Sequence, residues 1–124
     1  MKYISTRGGG TPQSFEQVLL TGLAPDGGLY VPAELPSFSS EQIASWRDLS
    51  YVDLALEVIS PFIGDALHPE ELKRIITESY AGFGHPEVAP LITLRENEYL
   101  LELYHGPTLA FKDFALQVLG RLLD

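Results

Sequence analysis

Cysteine is absent from the 124 residues, which excludes disulfides, cysteine-ligated zinc and thiol nucleophiles. The compartment therefore cannot be read from redox chemistry. Basic residues are few: eight Lys and Arg against 17 Asp and Glu leave a formal charge of −9. Nucleic-acid binding needs Lys and Arg gathered on one face, so that class is excluded as well. No run approaches the roughly 18 apolar residues of a membrane span. The opening MKYISTRGGGTPQ lacks the apolar stretch of a signal peptide. The expectation is a cytoplasmic protein with neither nucleic acid nor membrane as partner. Its three histidines, His68, His85 and His105, stand at no ligand spacing, so no metal site is expected. G-x-S-x-G is missing, which sets serine-hydrolase chemistry aside.

What is present suits folding. Hydrophobic residues make up 45% of a chain long enough for one small globular domain. A short strand at KYIS runs into the glycine loop TRGGGTP. Ser14, with Gln17 three positions on, predicts a capped helix that stops at Gly22. APDGG reads as a turn into a strand at Leu29 to Val31, and Asp26 belongs to that turn rather than to catalysis. Ser39 or Ser40 starts a helix over SSEQIASWRDL, and Ser50 caps a second over YVDLALEVISPFIG, with Asp53 at the third position. Pro61 is expected to kink or end that helix near Ser60. Pro69 opens another, with Glu70 and Glu71 in its first turn and Leu72, Ile75, Ile76 and Tyr80 on one side.

After Pro86 and Pro90 the texture changes: LITLRENEYLLELYHG contains two apolar, strand-like runs joined by the polar stretch Arg95 to Glu98, which reads as a β-hairpin. An organisational boundary is placed near residues 84 to 90. The fold class is α+β: short strands, several packed helices, then the hairpin and a last helix. The acids Glu41, Asp48, Glu57, Glu70, Glu71, Glu78 and Glu87 read as a solvated face.

In that last helix Thr108 is a plausible N-cap, and from Leu109 the spacing of Phe111, Phe114, Ala115, Val118 and Leu122 is helical. Lys112 falls in its first turn. The partial positive charge of a helix N-terminus disfavours ammonium there, and flanking phenylalanines would strip it of water; both effects lower a lysine pKa. A partly neutral amine is the nucleophile and base that imine formation requires. Free N–H groups at the same helix start would face an anion. Against this stands a solvated lysine whose stem covers Phe111 and whose charge pairs with Asp113 or another acid.

The stretch LELYHGPTLAFKDFALQ, Leu101 to Gln117, resembles the signature around the cofactor lysine of the threonine synthase family, pyridoxal-phosphate enzymes of the fold-type II group. YISTRG at Tyr3 to Gly8, GLAPDGGLYVP at Gly22 to Pro32 and SYVDLALEVISPFIG at Ser50 to Gly64 resemble the same family, in its order.

The resemblance implies that Lys112 binds pyridoxal phosphate covalently and is both catalytic and cofactor-binding. It implies conversion of O-phospho-L-homoserine and water to L-threonine and phosphate. Protons leave the alpha and then the beta carbon, phosphate departs from the gamma carbon and water adds at the beta carbon. Phe111 and Phe114 would exclude water, with Asp113 as structural support. Arg7, otherwise part of a plain flexible loop, becomes a contact for a substrate anion, and His105 either lines the pocket or finishes the hairpin.

Family members run to several hundred residues, so the chain is expected to be an N-terminal piece, inactive alone. Residues 1–86 would form the N-terminal domain and 87–124 the first elements of the cofactor domain. A related phospholyase, or a non-catalytic interaction module on the same fold, are the alternatives. Oligomeric state is not legible.

Overall fold

A computed structural model describes all 124 residues, and it has the expected α+β character: five α-helices and two antiparallel strand pairs. The chain divides into two compact units, residues 1–48 with 57–69, and residues 49–56 with 70–124.

In the first unit β1 (Tyr3–Ser5) pairs antiparallel with β2 (Tyr30–Pro32) in the register Tyr3 to Pro32. Pro32 is tolerated because it closes a two-stranded edge, where its missing N–H interrupts no ladder. Helix α1 (Phe15–Thr21) opens with the capping box read from Ser14 and Gln17 and stops at Gly22, φ 74°. Helix α2 (Ser40–Ser45) has the same device in Ser39 and Gln42. It ends at Trp46, earlier than its pattern suggested, where the indole packs edge-on against Phe38 at 4.9 Å.

Helix α3 (Tyr51–Ile63) begins in the second unit and finishes in the first, and it corrects the expectation at Pro61: the helix runs through it. With two residues remaining, proline removes a single late hydrogen bond. Ile63 is buried just beyond it, and the Tyr3 hydroxyl donates to the otherwise orphaned Phe62 carbonyl. Gly64, φ 61°, then turns the chain into a short 3-10 segment, Gly64–Ala66.

The second unit is built on α4 (Pro69–Tyr80), whose expected stripe is its buried face: Leu72, Ile75, Ile76 and Tyr80. Ile76 is fully enclosed, and Phe83, Val88 and Val118 complete the core. Aromatic rings lock it edge to face, Tyr51 on Tyr80 at 5.0 Å, Tyr80 on Phe83 at 5.2 Å and Phe83 on Phe114 at 5.0 Å. The Tyr80 hydroxyl donates to the Phe114 carbonyl at 3.0 Å, and burial pushes its pKa upward, with neighbouring Tyr51 adding to the shift.

On the outer face of α4 the acids are solvated as expected, and Arg74 holds Glu71 and Glu78 at 2.6 and 2.8 Å. Such exposed pairs contribute little. The predicted hairpin is β3 (Leu91–Arg95) with β4 (Glu98–Leu101), turning through Asn97 at φ 59° with a bulge between Thr93 and Arg95. Every residue of both strands is exposed. Helix α5 (Asp113–Leu123) follows, packing Val118 inward while Leu116 and Leu123 stay in solvent.

Candidate functional site

Lys112 stands at the start of α5, in the N-cap position, with helical φ and ψ of −61° and −22°. The helix begins four residues later than the spacing from Leu109 implied, and the reason is local. Leu109 is held at φ 61°, which no helix accommodates, and Asp113 recruits the residues before it. Its carboxylate, 2% exposed, accepts the Thr108 backbone N–H at 2.8 Å and the Thr108 hydroxyl at 2.7 Å. Thr108 is therefore a donor to Asp113 and not the cap of the helix. Desolvation pushes the Asp113 carboxyl up, but the bonds from Thr108 and from the Ala110 N–H together outweigh it and hold the pKa below the usual carboxylate range. Gly106 lies against this carboxylate so closely that an added Cβ would stand 2.4 Å from the Asp113 Cβ.

Two premises about Lys112 are corrected by this geometry. Phe114 turns into the aromatic core, whereas Phe111 is 67% exposed, so the lysine is not enclosed between rings and is itself exposed. The helix-start N–H groups are not free for an anion either. Those of Asp113, Phe114 and Ala115 bond to the carbonyls of Ala110, Phe111 and Lys112 at 3.0, 3.3 and 3.2 Å in a tightened first turn. The negative group that complements the helix terminus is Asp113. Lys112 forms none of the salt bridges.

His105 finishes the hairpin. Its carbonyl accepts the Gly84 N–H at 2.7 Å, and its Nε2 lies 2.7 Å from a Glu102 oxygen. The Tyr104 hydroxyl, and after it His105, hold Glu102 below its ordinary pKa. The His85 ring stands 5.0 Å from that of His105.

Arg7 belongs to the other unit, in a loop that is built rather than loose. Asp26 is its organiser: the Ser5 hydroxyl donates to its carboxylate at 2.7 Å, and the Gly28 and Gly9 N–H groups at 2.9 Å each. The Arg7 guanidinium donates to the Asp26 carbonyl at 3.0 Å and stays exposed. Glycine is required at position 28, where a Cβ would stand 2.1 Å from the Ser5 hydroxyl. Within the TRGGGTP loop the Gly9 N–H thus faces an internal carboxylate, and the Gly8 N–H bonds to the Ser5 carbonyl at 3.0 Å.

The Ser5 bond, followed by those from the glycines, holds Asp26 below its ordinary pKa. A depressed folded pKa means stability that is full above the unfolded value, about 3.9, and lost as pH falls through the folded one. Asp26→Asn in the full-length protein should therefore lower the melting temperature at pH 7 and narrow its gap to wild type as pH drops below about 4. Thermal melts from about pH 3 to about pH 7 check it; parallel curves would show that Asp26 does not anchor the loop.

The fold is first of all the α+β segment that larger enzymes carry in their opening quarter. The X-ray structure of pyridoxal-phosphate-bound threonine synthase from Brucella melitensis matches 99% of this chain with a TM-score of 0.96 at 50% identity, over 26% of its own length. A family model described as threonine synthase N terminus matches residues 2–80. Threonine synthase of Pseudomonas aeruginosa is 58% identical across the whole chain, which covers 26% of that relative. Human threonine synthase-like 2 is 43% identical, again over the whole chain and 26% of its own length. The chain belongs to the threonine synthase family, and it spans about a quarter of the length of these relatives.

Sequence reasoning placed the hairpin and singled out Lys112 but underrated two carboxylates. The signal for Asp113 was Gly-Pro-Thr five to seven positions upstream, and for Asp26 a Gly-Gly partner in each of two loops.

Proposed function

We propose that the full-length protein converts O-phospho-L-homoserine and water to L-threonine and phosphate, with pyridoxal phosphate held on Lys112, and that this quarter of it is inactive alone. Residues 1–86 serve as the N-terminal domain and 87–124 as the opening of the cofactor domain, in the cytoplasm. The observation that carries the reading is the placement of Lys112. It is an exposed primary amine at a helix start that Asp113 and Gly106 shape from behind, in a chain 58% identical over its whole length to a threonine synthase.

That amine fits the group, since imine formation needs an accessible lysine without an ion-pair partner. Pyridoxal phosphate, when bound, supplies an electron sink for carbanion chemistry at the alpha carbon. The chain's own contribution is the Lys112 Nζ, which takes up and returns protons at the substrate carbons as general base and acid. Phe111, exposed beside it, is apolar surface for excluding water once the rest of the protein closes over it.

A related phospholyase, which would eliminate phosphate without delivering threonine, is the second reading. Product identification separates the two. Full-length protein supplied with O-phospho-L-homoserine and pyridoxal phosphate is expected to yield threonine, and a 2-oxo acid in its place would replace this reading with the phospholyase.

A further inference from the structure

We propose that Asp113 is a positioning residue for Lys112, a role that rests on the reading of Lys112 as the cofactor lysine. Its buried carboxylate folds residues 106–110 back over the start of α5 and so fixes the backbone from which the Lys112 side chain leaves.

Three features converge on this carboxylate. Both of its oxygens are used, Oδ2 by the Thr108 N–H at 2.8 Å and Oδ1 by the Thr108 hydroxyl at 2.7 Å. Gly106 supplies the room, because any side chain there would collide with Asp113. Leu109 is held at φ 61°, a conformation a leucine keeps only when its surroundings impose it. The turn is therefore over-determined from one side chain.

Lys112 adjoins that side chain in sequence and points about 100 degrees away around the helix. With Asp113 drawn inward and 2% exposed, its neighbour is directed outward. The Lys112 carbonyl is tied as well, accepting from Ala115 at 3.2 Å and Leu116 at 2.9 Å. A side chain whose backbone is held on both sides starts from one place, and small misplacements of a reacting group cost rate steeply.

The test uses full-length protein stripped of cofactor, given limiting pyridoxal phosphate and reduced with borohydride at timed intervals. The pyridoxyl group is mapped by peptide mass at Lys112, Lys2 and Lys73. Asp113→Asn keeps the shape but turns an N–H2 toward the Thr108 donors. It is expected to slow attachment at Lys112 by about tenfold or more and to leave Lys2 and Lys73 unchanged, while the apo-protein stays folded but melts lower than wild type, because the Thr108 donors lose their acceptors. Thr108→Val, which removes the hydroxyl alone, should give a smaller drop in the same direction, and Thr108→Ser should restore the wild-type rate.

Unchanged attachment in Asp113→Asn overturns the proposal. So does a loss shared equally by all three lysines, which would mark Asp113 as merely structural. Where Asp113→Asn fails to fold, the Thr108 pair decides on the same criteria. Absence of any pyridoxyl group on Lys112 in the wild type is a separate result, and it removes the cofactor reading and this proposal with it.

Discussion

Lys112→Ala in the full-length protein is expected to abolish threonine formation, by at least about a thousandfold, while melting within about 2 °C of wild type. The two halves of this expectation come from different observations. On the proposed reading, loss of rate follows because alanine removes the amine that would attach the cofactor and the Nζ that would carry protons; no other lysine stands in the 101–117 motif. Preserved stability follows because Lys112 is exposed, forms no salt bridge, and contributes to the helix start through backbone groups that alanine keeps. Rate assays beside thermal melts check both. An undiminished rate would sink the cofactor assignment. A loss of rate accompanied by unfolding would mean that the lysine supports structure and would leave its chemical role without support.

The largest effect on stability is expected from Ile76→Ala, about 2–5 kcal/mol in unfolding free energy. Ile76 is wholly enclosed on the inner face of α4, among Leu72, Ile75 and Tyr80. Its neighbours cannot close the gap easily. Tyr80 is tied by its hydroxyl to the Phe114 carbonyl and by edge contacts to Tyr51 and Phe83, so the rings are held where they stand. A site that does not collapse retains its cavity, which places the cost in the upper part of the range. Ile76→Val, one methylene smaller, should cost about 0.5–1.5 kcal/mol. Urea denaturation of the two variants measures both, and equal small losses would show that the core repacks around this position. Because α5 is fastened to the same cluster through Phe114 and Val118, the alanine variant should also weaken the seat of the Lys112 helix.

Apolar surface is left open elsewhere. Both hairpin strands and the outer side of α5 are exposed, with Leu91, Leu94, Leu101 and Leu116 each more than half accessible.

Local rules made much of this protein legible from residues alone. The capping boxes at Ser14 and Ser39, the Ser50 cap, Pro69 at the first helical position, the α4 stripe and the Leu91 to Leu101 hairpin each depend on neighbours a few positions away, where spacing carries the physics. The Leu101 to Gln117 motif that carries Lys112 was legible for the same reason, being a continuous run. Other features depended on groups brought together only by folding. Helix α3 passes Pro61 because Tyr3, 59 positions earlier, accommodates its end. The glycine loop is ordered because Asp26 reaches Ser5 and Gly9 across some twenty residues of chain. Phe114 faces a core and Phe111 faces solvent because α4 supplies Tyr80 and Phe83 on one side alone. The start of α5 moved to Asp113 because a buried carboxylate captures Thr108 and outweighs helical spacing from Leu109. The sequence by itself determined which elements form and which lysine heads the last helix; the tertiary structure decided where that helix begins and what surrounds the lysine, because desolvated carboxylates and packed rings act through space rather than along the chain.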